Sequence, residues 1–390
     1  MSDMLSRRGK PHLVIERGRI AERWRTERWD GLRFQFPNWS VRLADYQFPH
    51  AEPDGFATSA QIVDFLDGYA AQIKVPIRCG VAVNALRQNE RGNGYIAETS
   101  VGSIRAMNVV IATGPYQRPS RPDLASDERG LFQVHASQYK EPNQLPPGAV
   151  LIVGSGASGT QIAEELARAG RRVYLAVGQH KRMPRRYRGR DLIWWLGAMG
   201  LDQTPVEERG TDTAMPLITG AYGGHTIDFR EFVSQGITLL GRLQSVRHCV
   251  LYFADDLKES VEHGDAAYSA FLDRVDSFVD QQGMNIPAEP EARVNSSAPQ
   301  GAFEPVRQLD MRRIGLSSVI WATGYVFDFG WIDLPVLNTR GEPKHHHGIA
   351  PLPNMYFLGL PWLSKMNSSF LSGVADDAAR LADCVQRSDE

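Results

Sequence analysis

Residues 148–177 read GAVLIVGSGASGTQIAEELARAGRRVYLAV, and this stretch decides the fold class. An apolar strand over residues 149–153 runs into a glycine-rich turn, residues 154–159, and an amphipathic helix follows. Gly170 ends that helix, and a second apolar strand spans residues 172–177. This order of strand, glycine turn, helix and strand predicts the opening unit of a dinucleotide-binding α/β domain of the Rossmann type.

The three glycines of the turn have separate predicted roles. Gly154 makes the tight turn, Gly156 lets backbone N–H groups approach a pyrophosphate, and Gly159 lets the helix pack closely against the strand. The helix N-terminus adds partial positive charge for the phosphates. A purely structural glycine turn is the alternative, which the complete surrounding unit disfavours. The predicted cofactor contacts in this turn are Gly154, Ser155, Gly156, Ala157, Ser158 and Gly159.

The residues after the second strand indicate which nucleotide is bound. An NAD site would place a carboxylate there, whereas residues 178–182 read GQHKR, and Arg185 and Arg186 follow. Because cations suit the 2′-phosphate of NADP(H), the sequence predicts NADP(H), with Lys181 and Arg182 as candidate contacts. A solvated basic loop is the alternative, and the choice among the four cations is open at this point.

Composition excludes several classes of function. The chain has 390 residues, enough for two domains, and its 43 Lys and Arg against 45 Asp and Glu indicate neither nucleic acid nor an anionic membrane as partner. Cys79, Cys249 and Cys384 form no CxxC pair, which excludes a disulfide reductase and fits a reducing cytoplasm. No apolar run approaches the roughly 18–20 residues that span a bilayer, and no secretion signal is evident.

Six segments, taken in order, resemble the group B flavin-dependent monooxygenases, and in particular the bacterial single-chain FAD-dependent oxidoreductases of the FMO/CzcO type. They are ERWRTERWDGLRFQFPNW, VVIATGPYQRPSRP, VHASQYKEP, VLIVGSGASGTQIAEELA, VIWATGY and MYFLGLPW. Two of these segments are apolar strands that end in Ala-Thr-Gly, which in two-domain flavoproteins mark where the chain leaves a nucleotide-binding domain. The ordered set is more specific than any single motif, and it covers almost the whole chain.

The resemblance implies an α/β fold with two Rossmann-like dinucleotide-binding domains of the three-layer ββα type, the first truncated at its N-terminus. Residues 1–146 together with 327–390 would form the FAD-binding domain. Residues 147–326 would form an inserted NADP-binding domain. Within it, residues 201–310 would form an extension that caps the substrate site.

The implied activity is NADPH- and oxygen-dependent monooxygenation of a small molecule. In the family, NADPH reduces FAD, and O2 then adds to give a flavin hydroperoxide that oxygenates nitrogen, sulfur or a carbonyl carbon. Two alternatives stay open: a flavin NADPH oxidase or reductase that releases peroxide, and an NADP(H)-binding protein that no longer holds FAD. A cytoplasmic location is expected, and the chain could assemble as a homodimer.

Carried over by position, the resemblance implies further contacts with the cofactors. Asn38, the implied catalytic residue, would hydrogen-bond the hydroperoxide or NADP, although a turn-forming Asn after proline is the alternative. Glu16 would bind the adenosine ribose of FAD, and the strand backbone at Val83 would contact its adenine. Gly359 would let the last strand approach the flavin. The other implied cofactor contacts are Trp24, Arg25, Thr113, Gly114, Thr323 and Gly324.

His135 and Tyr139 have the H-x-x-x-Y spacing of the family fingerprint. The residues upstream depart from that fingerprint, and its final Trp is absent, which weakens a Baeyer–Villiger assignment. His135 is therefore expected to link and pack rather than to act as a catalytic acid.

The unit that should precede Glu16 is incomplete in this sequence. Only 15 residues come before Glu16, whereas a strand, a glycine turn and a helix need roughly 30. The first strand is normally central in the sheet, and the turn would cradle the FAD pyrophosphate. Three explanations stay open: a late start or internal deletion, a natural variant that has lost tight FAD binding, or another segment in the strand position.

The run His345-His346-His347 raises the question of a metal. Consecutive residues in an extended or loop segment point in different directions, and no Cys, Asp or Glu set is evident nearby. We therefore predict a solvated basic loop and no metal site.

Overall fold

The computed structural model describes residues 1–49, 51–90, 92–122, 130–212 and 214–387. The helices are α1 (Ser2–Arg7), α2 (Glu22–Thr26), α3 (Ser59–Gln72), α4 (Ala157–Arg168), α5 (Leu192–Ala198), α6 (Phe229–Ser234), α7 (Leu257–Gln281) and α8 (Val374–Arg387). The strands are β1 (Val14–Ile15), β2 (Arg42–Leu43), β3 (Tyr46–Gln47), β4 (Ile77–Arg78), β5 (Val83–Gln88), β6 (Tyr95–Thr99), β7 (Gly102–Ala106), β8 (Val109–Ile111), β9 (Arg118–Pro119), β10 (Phe132–His135), β11 (Ala149–Val153), β12 (Val173–Ala176), β13 (His180–Arg182), β14 (Arg186–Tyr187), β15 (Arg190–Asp191), β16 (Met215–Leu217), β17 (Thr238–Leu240), β18 (Leu243–Arg247), β19 (Val250–Phe253), β20 (Gln308–Asp310), β21 (Leu316–Trp321), β22 (Tyr325–Val326) and β23 (Met355–Phe357).

Strand β11 lies at the centre of a five-stranded parallel sheet with the order β10, β21, β11, β12, β17. All of its residues are buried, as a strand covered on both faces requires. On one face Ile152 packs in a cluster with Leu166 of α4. On the other face Leu151 packs with Phe253 of the antiparallel sheet β18–β19–β20. The sheet therefore lies between helix and sheet, and the predicted three-layer α/β class is confirmed.

The FAD-side part of the chain contains two separate parallel strand pairs. Strand β1 pairs with β4, and β8 pairs with β23. Within the described residues no strand hydrogen-bonds to both β1 and β23, so the sheet expected for this domain is split into two pairs. Helix α8 packs on the second pair, where Leu381 joins Phe357 in one core cluster. Helix α1 contacts α8, and the guanidinium of Arg8 lies 2.5 Å from the carboxylate of Asp383.

The two Ala-Thr-Gly segments come together after their strands end. Strand β9 follows the first and β22 follows the second, and these strands form an antiparallel pair. The backbone N–H of Ser120 donates to the carbonyl of Gly324 at 2.9 Å, and the hydroxyl of Thr323 donates to the carbonyl of Ser120 at 2.5 Å. This ribbon, β9 with β22, is where the chain passes between the two predicted domains.

Two details of the topology bear on the predicted domain limits. Strand β10 pairs with β21 in the five-stranded sheet, although the predicted boundary assigns residues 132–135 to the first domain. Strand β17 is an edge strand of that sheet, and β18, β19 and β20 form its second layer. Much of 201–310 is thus part of the domain core, because these strands cover the parallel sheet. The boundaries themselves stay predictions.

Helix α7 is the longest helix of the described chain, with 25 residues from Leu257 to Gln281. Its buried face includes Tyr268, Leu272 and Val275, which pack with Trp195 of α5. The remaining face carries charged side chains along its length. Among the described residues, no helix combines the length and the apolar character needed to cross a membrane.

Candidate functional site

The glycine turn adopts the geometry that its motif predicts. Gly154 has a φ of 103°, and a methyl group there would lie 2.5 Å from the carbonyl oxygen of Ala322. A methyl group on Gly159 would overlap the carbonyl oxygen of Gly154 itself. Neither position admits a side chain without movement of the backbone, because both are in contact with main-chain atoms. These two glycines bring helix α4 close to strand β11.

Gly156 differs from its neighbours because it faces open space. A methyl group there would meet no heavy atom of the described residues within 4 Å. Helix α4 begins directly after it, and no side chain of the described chain caps its N-terminus. The first N–H groups of a helix lack intrahelical partners, and they carry partial positive charge. The opening above Gly156 therefore fits a dinucleotide pyrophosphate.

Ser155 fixes the turn relative to the next strand. Its hydroxyl accepts a hydrogen bond from the backbone N–H of Gly178 at 3.1 Å, and the side chain is buried. This bond ties the turn to the end of β12, where the ribose of a bound dinucleotide would lie. Ala157 is half-buried and Ser158 is exposed, so both lie at the solvent-facing side of the glycine turn.

The structure separates the two predicted phosphate-binding cations. Arg182 is 6% exposed, and its guanidinium lies 2.9 Å from Asp228 and 3.0 Å from Asp265. It also donates to the amide oxygen of Asn295 at 2.7 Å. These partners, of which Asp228 is buried, hold the guanidinium of Arg182 inside the domain, which argues against the predicted contact with the 2′-phosphate. Sequence could not reveal this, because the two carboxylates come from distant elements.

Lys181 remains accessible beside this buried network. It is half-buried, and its ammonium lies 3.2 Å from the carboxylate of Asp212. Arg186 on β14 is exposed, whereas Arg185 is buried and paired with Asp191 at 2.5 Å. Of the four cations in the predicted set, Lys181 and Arg186 are thus the ones that solvent and ligand reach.

Asn38 has an unusual hydrogen-bonding environment. Its side chain is buried, and its amide nitrogen donates to the carbonyl of Glu52 at 3.0 Å. Its amide oxygen has no hydrogen-bond partner among the described residues. A buried carbonyl oxygen without a donor is unfavourable, so this atom is free to accept a hydrogen bond from a ligand.

Asn367 repeats this pattern, and the sequence analysis missed it. Its side chain is buried, its amide nitrogen donates to Asp202 at 3.1 Å, and its amide oxygen lacks a donor within the described chain. It lies a few residues before α8, in the stretch NSSF. A buried Asn just before a helix is too common a pattern to be singled out without the structure.

Other predicted FAD contacts have partners inside the protein. The carboxylate of Glu16 accepts from the backbone N–H of Gly18 at 2.6 Å, which holds it at the end of β1. The guanidinium of Arg25 pairs with Asp67 and donates to the carbonyl of Ile20 at 3.0 Å. These contacts are compatible with binding for Glu16, whereas Arg25 is already tied to neighbouring elements.

Trp24 and Val83 contact the core or a neighbouring strand. The indole of Trp24 meets Phe34 edge-on with ring centroids 5.5 Å apart, and the Arg28 guanidinium lies 4.9 Å from the indole centroid. Val83 begins β5 and pairs in register with Thr99. Both residues therefore have structural roles, whatever contact they make with a cofactor.

The remaining predicted contacts are turns that follow strands. Gly114, Gly324 and Gly359 have φ values of 67°, 77° and 75°, in the left-handed region that favours glycine. The hydroxyl of Thr113 accepts from the side-chain amide of Gln117 at 2.9 Å. The strands before these glycines are β8, β21 and β23, so all three lie at the carboxyl ends of parallel strands. Ligands of open α/β sheets bind at such ends.

His135 and Tyr139 stabilise the junction. His135 is buried, and its Nε2 hydrogen-bonds the carbonyl of Gly324 at 3.0 Å, while burial lowers its pKa. The hydroxyl of Tyr139 donates to the carboxylate of Glu165 on α4 at 2.8 Å. A neutral, buried histidine bonded to the main chain matches the packing role expected for His135. The side chain of His135 also borders a cavity of about 430 Å³. The other residues that line this cavity are Thr26, Glu27, Pro119, Arg121, Ser137 and Gln138.

Comparison with known proteins places this architecture among two-domain flavoproteins. A family model described as pyridine nucleotide-disulphide oxidoreductase matches residues 3–192. An uncharacterized CzcO-like oxidoreductase of Geobacillus kaustophilus is 31% identical over 375 residues, which are 95% of this chain and 89% of that protein.

Two solved structures share the fold. A flavin-containing monooxygenase from Stenotrophomonas maltophilia has a TM-score of 0.64 at 15% identity, covering 97% of this chain and 98% of that one. The protein OTEMO, solved in complex with FAD and NADP, has a TM-score of 0.56 at 16% identity, covering 100% of this chain and 83% of that one. At these identities the likeness concerns the fold.

The fold and the glycine turn together place the chain in the class of α/β proteins built on Rossmann-type dinucleotide-binding units, of which OTEMO was solved with FAD and NADP. The chain belongs to the family of CzcO-like oxidoreductases. The resemblance based on the six segments is thereby confirmed, and so are the predicted cofactors at the level of the class.

Proposed function

We propose that this chain is an NADPH- and FAD-dependent monooxygenase that acts on a small molecule. The observation that carries the proposal is the glycine turn. Gly156 opens onto the N-terminus of α4, which no described side chain caps. A turn that packs tightly at Gly154 and Gly159 and faces open space at Gly156 is shaped for a ligand rather than for packing alone. The ordered family segments extend the proposal from nucleotide binding to flavin chemistry.

The proposed roles of the chain's own residues follow from their surroundings. The turn and α4 hold the NADPH pyrophosphate, and Lys181, joined by the exposed Arg186, meets the 2′-phosphate. Asn38 acts as an acceptor, because its amide nitrogen is engaged by Glu52 while its oxygen has no donor among the described residues. It would orient an N–H group of the flavin or of the nicotinamide. FAD, when bound, supplies hydride acceptance and oxygen activation.

The fit of FAD to this chain is uneven. The carboxylate of Glu16 is held at the end of β1, where a ribose would lie, and the turn at Gly359 follows β23. Residues 1–13 contain no GxGxxG turn for the FAD pyrophosphate. The proposal therefore assigns FAD contacts at the ribose and ring ends, and it assigns none at the pyrophosphate.

A second candidate is an NADP(H)-binding protein that does not retain FAD. The observation in its favour is the separation of the pairs β1–β4 and β8–β23, which no described strand joins. An unjoined sheet leaves backbone groups without ladder partners at the place where FAD would be cradled. The glycine turn and helix α4 would bind NADP(H) in both candidates.

One experiment separates these functions. The purified chain is incubated with FAD, freed of excess, and examined by visible absorption. Flavin-loaded protein is then given NADPH and ¹⁸O-labelled oxygen with a panel of amines and thioethers. Labelled product supports the monooxygenase, and peroxide equal to the NADPH consumed, without labelled product, supports the oxidase. Loss of flavin with retained NADPH binding overturns the monooxygenase proposal and supports the second candidate.

The proposal also covers the cellular location, the substrate class and the assembly of the protein. We infer a cytoplasmic protein with a small-molecule substrate, because its three cysteines form no CxxC pair and its charge is nearly balanced. A homodimer is the assembly to test. Size-exclusion chromatography with light scattering at micromolar concentration distinguishes a dimer from a monomer.

A further inference from the structure

The histidine run forms a tight hairpin turn rather than an open loop. The backbone N–H of His346 donates to the carbonyl of Ile349, and the N–H of Ile349 donates back to His346, both at 3.0 Å. The two residues between them, His347 and Gly348, have φ values of 48° and 83°. Positive φ at both central positions is the signature of the primed hairpin turn, which is compact and well defined.

The turn is anchored on both sides. The backbone N–H of Phe357 in β23 donates to the carbonyl of Gly348 at 2.7 Å. The guanidinium of Arg380 in α8 donates to the carbonyl of His347, and it also pairs with Asp377 at 3.0 Å. The backbone that presents His346 and His347 is therefore fixed to a core strand and to a helix.

Fixing the turn brings the two imidazoles together. The rings of His346 and His347 are stacked, with centroids 4.3 Å apart and planes within 7° of parallel. This differs from the expectation that consecutive loop residues point in different directions. The left-handed conformation of His347 accounts for the difference, because it turns that side chain back over its neighbour.

A carboxylate from a distant part of the chain completes the group. Glu207 lies in a short helical turn, Val206–Glu208, and its Oε1 lies 2.6 Å from Nε2 of His347. The backbone N–H of Val206 donates to the carbonyl of Ser364 at 2.9 Å, which holds this turn beside the histidines. One ligand atom from each of Glu207, His346 and His347 lies within 4.8 Å of the other two.

We propose that Glu207, His346 and His347 form a binding site for a divalent first-row transition-metal ion such as Zn²⁺. Two imidazole nitrogens and one carboxylate oxygen suit this class of ion, whereas Mg²⁺ and Ca²⁺ prefer oxygen ligands alone. Bonds of about 2.1 Å in a tetrahedral site separate ligand atoms by roughly 3.4 Å. Because the lone pair of each imidazole nitrogen lies in its ring plane, the two stacked rings must rotate about their side-chain bonds to converge on one ion, and water takes the fourth position.

The site would join two parts of the molecule. Glu207 belongs to the segment predicted as the inserted domain, and the histidines belong to the segment that returns to the FAD side. Pro205 and Lys365, close to Glu207 and to the last segment of the chain, already link the same two parts through an isolated antiparallel bridge. A bound ion would therefore act as a clamp between them, in a place remote in sequence from the glycine turn.

His345 provides a matched control within the same run. Its ring lies 6.2 Å from that of Phe357, centroid to centroid, and its Nδ1 accepts from the backbone N–H of Gly348 at 3.3 Å. It is half-buried and outside the three-residue group. Replacing it removes one histidine without removing a ligand.

The test measures metal binding on the full chain without a histidine tag. Because the thiol of Cys79 is exposed and thiolates are ligands for such ions, all variants carry Cys79→Ser. Titration with ZnCl2 is expected to show one ion per chain. Glu207→Gln and His346→Gln are each expected to weaken binding about tenfold or more, and His345→Gln is expected to leave the affinity unchanged.

A second readout distinguishes lost binding from lost folding. Equimolar Zn²⁺ is expected to raise the unfolding temperature of the parent and of His345→Gln, but not that of Glu207→Gln. Glu207 is exposed and its contact with His347 lies at the surface, so its replacement is expected to change the metal-free unfolding temperature little. The proposal is overturned if the parent retains no stoichiometric ion, or if Glu207→Gln and His346→Gln bind Zn²⁺ as tightly as the parent.

Discussion

Gly156 and Gly159 belong to the same turn, but the space beside their Cα atoms differs. Gly159 is pressed against the carbonyl of Gly154, whereas Gly156 faces open space within the described chain. The motif places both residues in the same six-residue turn and predicts a binding role for Gly156 and a packing role for Gly159. A methyl group added at each position therefore separates the packing role of the turn from its binding role.

We expect Gly159→Ala to lower the free energy of unfolding by about 1–3 kcal/mol, because the added methyl forces α4 away from β11. Gly156→Ala has no such conflict, so its stability is expected to stay within about 0.5 kcal/mol of the parent. Urea unfolding measures both changes.

Gly156→Ala also tests the binding role of the turn. Gly156→Ala places its methyl in the opening and is expected to weaken NADPH binding, followed by fluorescence titration. Unchanged NADPH affinity in Gly156→Ala would show that the pyrophosphate is held elsewhere. Gly159→Ala is read only for stability, because a displaced α4 alters both quantities.

At the scale of elements, strand β13 presents its two cations to opposite sides. Arg182 points inward to Asp228 and Asp265, and Lys181 between the buried residues stays accessible. Alternation along a strand produces this arrangement, because successive side chains leave opposite faces. Adjacent cations of one motif thus have different physical roles.

Arg182→Ala is expected to destabilise the fold by about 1–3 kcal/mol, because the buried carboxylate of Asp228 loses one of its two guanidinium partners and keeps only Arg230. Lys181→Ala is expected to keep the stability of the parent and to weaken NADPH binding more than NADH binding. Urea unfolding and parallel titrations with the two nucleotides measure these effects. Equal loss of affinity for NADPH and NADH in Lys181→Ala would remove it from the 2′-phosphate site.

Helix α4 also carries a pH-sensitive contact. Glu164 is buried on this helix, and its carboxylate lies 3.3 Å from Nε2 of His225. The hydrogen bond to Glu164 raises the pKa of His225 above its ordinary value of 6.5. A histidine whose pKa is raised by folding stabilises the protein fully below the unfolded pKa and loses that contribution as pH rises through the folded pKa.

His225→Gln is accordingly expected to lower the free energy of unfolding at pH 5.5 and to have a smaller effect at pH 9. Urea unfolding of variant and parent at both pH values gives the difference directly. A destabilisation of the same size at both values would mean that the contact depends on packing and not on the charge of His225.

At the scale of the whole molecule, the two cofactor regions share a core. Trp29 and Leu32 come from the first segment of the chain, yet they pack in the cluster that contains Ile162 and Leu166 of α4. The β9–β22 ribbon adds a second connection. Ligand binding at the glycine turn therefore stabilises more than the sheet that carries it.

NADPH at a hundredfold excess over its Kd is expected to stabilise the folded chain by about 2.7 kcal/mol and to shift a single unfolding transition. Differential scanning calorimetry with NADPH, with FAD and with neither compares the two sites on one sample. Two separate transitions, of which NADPH moves only one, would contradict the shared core. A shift caused by FAD would show that the flavin side also forms a site.

The glycine motif located the dinucleotide-binding unit at residues 148–177. The resemblance located the strand ends at Gly114, Gly324 and Gly359, all of which the structure forms as turns. It did not anticipate that Arg182 is internal or that the amide oxygen of Asn367 is buried without a donor among the described residues. The burial of Arg182 and of Asn367 depends on which distant elements pack against them. The residues next to each of them in the sequence give no sign of that packing. Local pattern therefore predicted the sites that consist of backbone better than those that consist of side chains.

The sequence by itself determined the α/β class and the glycine-turn cradle, because a buried strand, a tight turn and an amphipathic helix are encoded by residues close together in the chain. Only the tertiary structure decided the partners of the charged and polar side chains. Glu207 meets His347 across 140 positions of sequence, and Arg182 meets Asp265 across 83. The reason is physical: such contacts depend on how distant elements pack, and no local periodicity records that packing.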